Sequence, residues 1–402
     1  MLSDNLKCLE TKKPPPNWFI AQEVINRQIG SNPLFQRRFY SSLHAVNRLE
    51  FKYKLCDLED TVSALSFNQK GNLLARASEK TVSIWDWAAK KKRCCFPNGH
   101  DILIEAKWLP LDVENFMVTS GYDGCIRLLD LEYNSSRQMI NYDLLFHPTH
   151  IDRKNNWALA VHPEIPYIVF SAYNDSILSI DIRENTPKLL DIKNLRNSIL
   201  RSIHCNPSNS NEFCVGGHFP CIRVYDQRNI SNPLYQLWTT KYNRNRDAFA
   251  TITIYNHDGT EILTLCNLSE ILLFEKSMWS CEGNSNHTLY ERSQFSSVPV
   301  VGGINFFGPK SEFIISGSYF GDIFIFDKKK KTALQWLTED YKFVKCFRHP
   351  HIPILATASK SNVLIWMPSG NEDPTESTFK TVCIDKNYLC VFFAFSFSCL
   401  II

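Results

Sequence analysis

The chain has 402 residues, 44% of them apolar and 21% charged, and its 44 Lys and Arg nearly cancel 41 Asp and Glu. With enough apolar content for a sizeable core, only 15 glycines and no heptad run, it is not a disordered, collagen-like or coiled-coil chain. A formal charge of +3 gives no reason to expect nucleic acid or a membrane as the main partner.

Residues 1–16 are polar, end in Pro14, Pro15 and Pro16, and read as a disordered start without the apolar run of a secretory signal. Residues 17–48 read as a helix–loop–helix. Trp18, Ala21, Ile25 and Ile29 recur at helical spacing behind a cap at Asn17, and Gly30 ends the run. Asn32 and Pro33 then open a second helix with Phe35, Phe39, Leu43 and Val46 along one face. With no strand pattern of its own, the pair packs on the rest of its chain or docks on a partner. The fourteen cysteines are scattered, many in apolar strand-like runs such as those around Cys125, Cys205, Cys214 and Cys266. They read as reduced thiols of an intracellular protein, in the nucleus, the cytoplasm or both. Cys205, Cys214 and Cys221 match no zinc spacing, and no metal or cofactor is expected.

From Leu49 onward a repeat organises the chain. Seven segments share one plan: an alternating apolar strand, a polar turn, a second strand ending in small residues, another turn, and a third strand closing on an aromatic or Asp. They span Val62–Trp87, Glu105–Asp130, Trp157–Arg183, Arg201–Arg228, Thr251–Lys276, Gly302–Lys328 and Val344–Pro368. Their closing positions, Asp86, Asp130, Asp181, Asp226, Glu275, Asp327 and Met367, recur about every 47 residues. A four-stranded propeller blade needs about 40–45. No fourth strand follows the last repeat, whereas Leu49–Cys56 alternates ahead of the first, so the N-terminal strand is expected to complete the seventh blade. Trp85-Asp86, Gly99-His100, Ser120-Gly121 with Asp123, Ser316-Gly317 and Trp366 stand where such blades carry their signature residues. On these residues the chain resembles the WD-repeat β-propeller family over residues 49–368. The resemblance implies an all-β, seven-bladed WD-repeat propeller behind a short helical hairpin. In that family a His–Ser–Asp–Trp network pins each blade. Here His100, Ser120 and Asp123 are present in the second blade, but Leu129 replaces the Trp.

Two repeats end in Ile180-Asp181-Ile182-Arg183 and Tyr225-Asp226-Gln227-Arg228, which puts an Arg two residues beyond the closing Asp on one rim. Each is either a plain surface Arg or part of a recognition patch for carboxylate and backbone oxygens. The pattern resembles the Asp-x-Arg box of WD-repeat substrate receptors of cullin-4 ubiquitin ligases. FNQKGNLLARAS, SIDIRENTP and HPHIPILATAS resemble its cullin-4-associated factor 8 branch, over about Trp18 to Pro368, and from about Pro374 the chain departs from it. The resemblance implies the adaptor DNA-damage-binding protein 1 and the cullin-4 ligase as partners. It assigns adaptor binding to Asp181, Arg183, Asp226 and Arg228, with Trp18, Ile25, Ile29, Phe35 and Phe39 of the helical segment. The other rim carries Tyr122 and Asp123, Tyr173 and Asn174, His218 and Phe219, and Tyr319 and Phe320. These either pack between blades or anchor a protein substrate.

Lys90–Arg93 and Lys328–Lys331 read as solvated loops, import signals or phosphate contacts. His147, His150, His349 and His351 stand in HPTH and HPHI turns without metal spacing. No G-x-S-x-G, P-loop or G-x-G-x-x-G context is found, so the protein is expected not to be an enzyme. Residues 369–402 form a C-terminal tail, uncharged from Tyr388 to Ile402. That stretch is a buried strand, a tail outside the fold or a short membrane anchor; a spanning helix needs about 20 residues.

Overall fold

The period-two alternation makes strands, and turns carrying Gly or Asn fold successive strands back antiparallel. The computed structural model describes residues 41–55, 60–110, 113, 115–141, 158–173, 175–184, 187–190, 199–239, 249–266, 270–279, 288–290, 303–318, 321–338 and 345–369. These form seven four-stranded sheets, each paired in sequence order except the last. Blade 1 runs through Val62–Phe67, Leu73–Ser78, Thr81–Asp86 and Lys91–Pro97. The next five begin at Leu103–Trp108, Ala158–Val161, Leu200–Cys205, Ala250–Tyr255 and Ile304–Phe307, and blade 7 at Lys345–Arg348. These first strands ring a central channel of about 600 Å³.

A blade has two apolar faces and buries both against its neighbours. Phe170 of blade 3 stacks on Phe213 of blade 4 with centroids 5.8 Å apart, and Phe213 stacks on Tyr225 behind it. The ring closes as the alternation at Leu49 predicts. Leu49–Leu55 pairs antiparallel with Asn362–Pro368 and becomes the outer strand of blade 7. Pairing shifts at a bulge in the outer strands of blades 1, 2, 6 and 7. Such irregularity discourages one edge from pairing with another.

The antiparallel meander sorts the turns onto two faces. Turns between first and second strands and between third and fourth strands share one, here called the lower face. Leu49 lies opposite Pro368, at the lower end of its sheet, so the N-terminal segment joins the propeller on this face. One helical turn of that segment, Leu43–Asn47, is described, with the Ser42 hydroxyl accepting the Ala45 N–H at 3.3 Å as its cap. Ala45 and Val46 are fully buried, and Val46 packs with Leu49, Phe307 and Trp366. The end of the second helix is therefore seated on its own propeller. Its remainder, the first helix and residues 370–402 lie outside the described residues.

His349 closes the seam between blades 7 and 1. Its Nδ1 accepts the backbone N–H groups of His351 (3.1 Å) and Ile352 (3.2 Å), so Nε2 carries the proton and donates to Gly71 O at 2.8 Å. The same position in blades 1, 4 and 5 is Asn68, Asn206 and Asn256, whose side-chain oxygens brace the first turn in the same way. Burial, with a smaller push from His351, lowers the His349 pKa from 6.5 to about 4. The unfolded chain takes up this proton near pH 6.5 and the folded one only near 4. The contribution is thus complete above 6.5 and is lost as the pH falls between those values. We predict that melting temperature falls through this window, and that His349→Asn, keeping the acceptor without the titration, flattens the fall. Melting curves at a series of pH values check it.

Candidate docking face

The closing acid of each repeat is first a turn former. Asp86, Asp130, Asp181, Asp226 and Asp327 each accept a backbone N–H two or three residues on, at 2.8–3.0 Å. The next residue faces the preceding blade. Ile182 is buried and its carbonyl accepts Arg137 Nη2 of blade 2 at 2.8 Å. Gln227 Nε2 lies 3.3 Å from His162 Nε2 of blade 3. Lys276 and Lys328 reach Glu212 and Glu261 of the preceding blades at 3.5 and 2.7 Å. With that residue turned inward, the one after it points to solvent. That local alternation places Arg183 and Arg228 on the lower face of adjacent blades, with side chains 59% and 69% exposed.

The two boxes have one geometry. Arg183 Nε and Nη2 donate to Asp181 Oδ1 and Oδ2 at 3.0 and 2.7 Å. Arg228 makes the same two bonds to Asp226 at the same lengths. The guanidiniums hold both carboxyls below the usual carboxylate range, and the carboxylates raise both arginines. Arg183 also lies over the Tyr167 ring at 4.3 Å. Each planar fork is held in one orientation by its own Asp, with its outer edge toward solvent, so little side-chain entropy remains to be lost on contact. Beside them a groove of about 410 Å³ opens at the lower mouth of the channel, lined by Trp108, Val161, His162 and Pro163 among others. His162 thus joins this groove to the Asp226 box. The sequence reading missed this support; its signal is the His162-Pro163 pair that opens the blade 3 turn. Trp18, Ile25, Ile29, Phe35 and Phe39 lie outside the described residues.

On the upper face the sequence-predicted set divides. Tyr122 is 45% exposed and lines the channel mouth. His218 is exposed, with Arg201 Nε at 3.1 Å and the Phe249 ring at 4.0 Å. Phe219 corrects the expectation: it is buried in the core between blades 3 and 4, with Arg223 over its ring at 4.7 Å, and offers nothing to a substrate. Asp123 is taken up within blade 2. His100 Nδ1 lies 2.9 Å from its Oδ1, while His100 Nε2 meets Thr119 Oγ1 at 3.0 Å. Burial is the largest single influence and works to raise Asp123, but the contact with His100, the Cys125 N–H and the nearby Arg127 together outweigh it and its pKa is lowered. The hydroxyl of this network belongs to Thr119 and not to Ser120, because neighbours on a strand point to opposite faces and His100 lies on the Thr119 side. Asn174, Tyr319, Phe320 and the Tyr173 side chain lie outside the described residues.

Cys205, Cys214, Cys221 and Cys266 are buried free thiols, and burial pushes Cys214 and Cys266 up to about 12. No group of three His, Cys, Asp or Glu among the described residues fits a metal. Among the same residues, no helix is long and apolar enough to cross a membrane. Lys91–Arg93 is not a loop, as the sequence suggested, but opens the outer strand of blade 1.

The family profile "WD domain, G-beta repeat" matches residues 52–86. The β-propeller domain of Cps50 (Swd1) from Myceliophteria thermophila aligns with a TM-score of 0.63 at 14% identity, covering 80% of this chain and all of that one. Together with the seven four-stranded sheets, these give the architecture. The chain is a seven-bladed WD-repeat β-propeller. This propeller is 28% identical over 223 residues to human WD and tetratricopeptide repeats protein 1, covering 53% of this chain and 32% of that one. It is 20% identical over 347 residues to DNA damage-binding protein 2 of Oryza sativa subsp. japonica, covering 78% of this chain and 56% of that one. The WD-repeat chain thus spans about a third of the human relative and just over half of the rice one.

Proposed function

We propose that the propeller is a non-catalytic substrate receptor of a cullin-4 ubiquitin ligase. Its lower face docks the adaptor DNA-damage-binding protein 1, and its upper face recruits the protein to be ubiquitinated. The observation that carries this reading is the pair of identically built Asp-x-Arg boxes on adjacent blades, on the face where the N-terminal segment joins. The likeness to rice DNA damage-binding protein 2 is in keeping with it. The receptor itself contributes position: holding a target beside a ubiquitin-charged enzyme converts an encounter into a local reaction.

A plainer reading, a WD-repeat interaction scaffold without a ligase, has one observation in its favour. Arg93 of blade 1 also pairs with its closing acid, Asp86, at 2.8 Å, so an Arg–Asp pair at this turn can be purely local. Affinity purification with mass spectrometry separates the two. Wild type is expected to recover adaptor, cullin and target together. Arg183→Glu/Arg228→Glu should lose adaptor and cullin while keeping its melting temperature. Equal recovery by both proteins would leave the scaffold reading.

A further inference from the structure

The lower face is electrically divided. Across blades 6, 7 and 1 its described residues include Arg48, Lys70, Lys310, Lys90–Arg93 and Lys328–Lys331, eleven cations in all. Against them stand Glu50, Asp86, Glu312 and Asp327, leaving a net of +7 on a chain whose total is only +3. Across blades 2 to 4 the balance inverts: Asp130, Glu132, Glu164, Asp181, Glu184 and Asp226 outnumber Arg137, Arg183 and Arg228 two to one. The basic arc is continuous over the closure seam. Lys90 of blade 1 sits 4.3 Å over the ring of Tyr53 in the outer strand of blade 7, and the Tyr53 hydroxyl donates to Trp87 O at 2.5 Å. Arg93 and Lys328 are engaged by Asp86 and Glu261, whereas Lys90, Lys91, Lys329, Lys330 and Lys331 are all exposed.

We infer that this arc, from the Lys328–Lys331 turn across the seam to Lys90–Arg93, binds an acidic polypeptide segment. An isolated lysine is an ordinary solvated charge, but an arc of one sign spanning three blades creates a field that gathers opposite charge. The acidic half of the same face selects the shape of the occupant. A duplex or a bilayer laid flat would press phosphates against Glu132, Glu164 and Glu184. A short acidic segment follows the arc and avoids them. The inference does not rest on adaptor docking, because Arg183 and Arg228 lie outside the arc.

The test is fluorescence anisotropy of a labelled poly-glutamate peptide of about ten residues with the full chain, at low and raised salt. Wild type is expected to bind, more weakly as salt rises. Lys91→Glu/Lys92→Glu/Lys329→Glu/Lys330→Glu should weaken binding about tenfold or more. Lys329→Glu/Lys330→Glu alone, confined to an exposed turn, should show an intermediate loss and covers the case in which the fuller variant fails to fold. Glu132→Lys/Glu184→Lys, on the other half, should bind at least as well as wild type. Undiminished binding by the reversed variants overturns the inference. So does tighter binding of duplex DNA than of the peptide, which would give the arc to nucleic acid. A low-salt dimer dissolved by Glu132→Lys/Glu184→Lys also overturns it, because the arc would then face a second copy.

Discussion

A chain lacking Leu49–Leu55 is expected not to reach a cooperatively folded state. That strand supplies the outer edge of blade 7, and its Leu49 and Leu55 are buried on the two faces of that blade, toward blade 6 and blade 1. Gln335 Nε2 donates to the Leu49 carbonyl at 2.9 Å, and Tyr53 holds blade 1 through Trp87 O. Removing it bares the edge of Asn362–Pro368, in which Val363 and Ile365 are fully buried. Two buried leucines alone are worth about 1.5–3 kcal/mol each, and a whole ladder of backbone bonds goes with them. A typical domain has about 5–15 kcal/mol in total. Size-exclusion chromatography and a thermal melt check the outcome: aggregation and a broad, weak transition are expected. A monomer with an unchanged sharp melt would show that the ring closes without its clasp.

The second large effect is expected at Gly71. Its backbone is left-handed (φ +78°), and a Cβ there would meet the His349 ring at 2.3 Å. Alanine must therefore adopt a strained backbone and push aside the buried imidazole that braces the seam. Backbone strain of about 1 kcal/mol plus overpacking of about 1–3 kcal/mol gives a loss of about 3 kcal/mol. Denaturant unfolding of Gly71→Ala measures it. His349→Ala in the same chain should recover the steric part of the loss but not the hydrogen bond to Gly71 O. Additive losses in the double variant would contradict the collision.

The fold was legible because its causes are local. Strand alternation, turn residues and a near-constant period are written along the chain, and Leu49–Leu55 betrayed the clasp by alternating ahead of a repeat that lacked a fourth strand. The arginines were legible for the same reason: one turn conformation, repeated at Asp181 and Asp226, sets where the residue two positions on must point. What depended on contacts between blades was not legible. Phe219 stands in a turn where the sequence left packing between blades and substrate contact both open, and only the fold shows its ring filling the gap between blades 3 and 4. The Thr119–His100 pairing is fixed by which side of a strand faces the preceding loop, whereas the family resemblance pointed to Ser120. His349 read as an ordinary turn histidine and His162 drew no reading at all, because their partners, Gly71 and Gln227, lie 278 and 65 residues away. The division of charge on the lower face was hidden by a chain total near zero.

The central claim is that the paired boxes on the lower face bind the adaptor. It is tested most directly by calorimetric titration of purified DNA-damage-binding protein 1 into the purified chain, wild type against Arg183→Ala/Arg228→Ala. Truncating one side of a hydrogen-bonded charge contact costs about 2–5 kcal/mol, so affinity should fall by about a hundredfold or more while the melting temperature holds. Equal affinity for both proteins would contradict the claim.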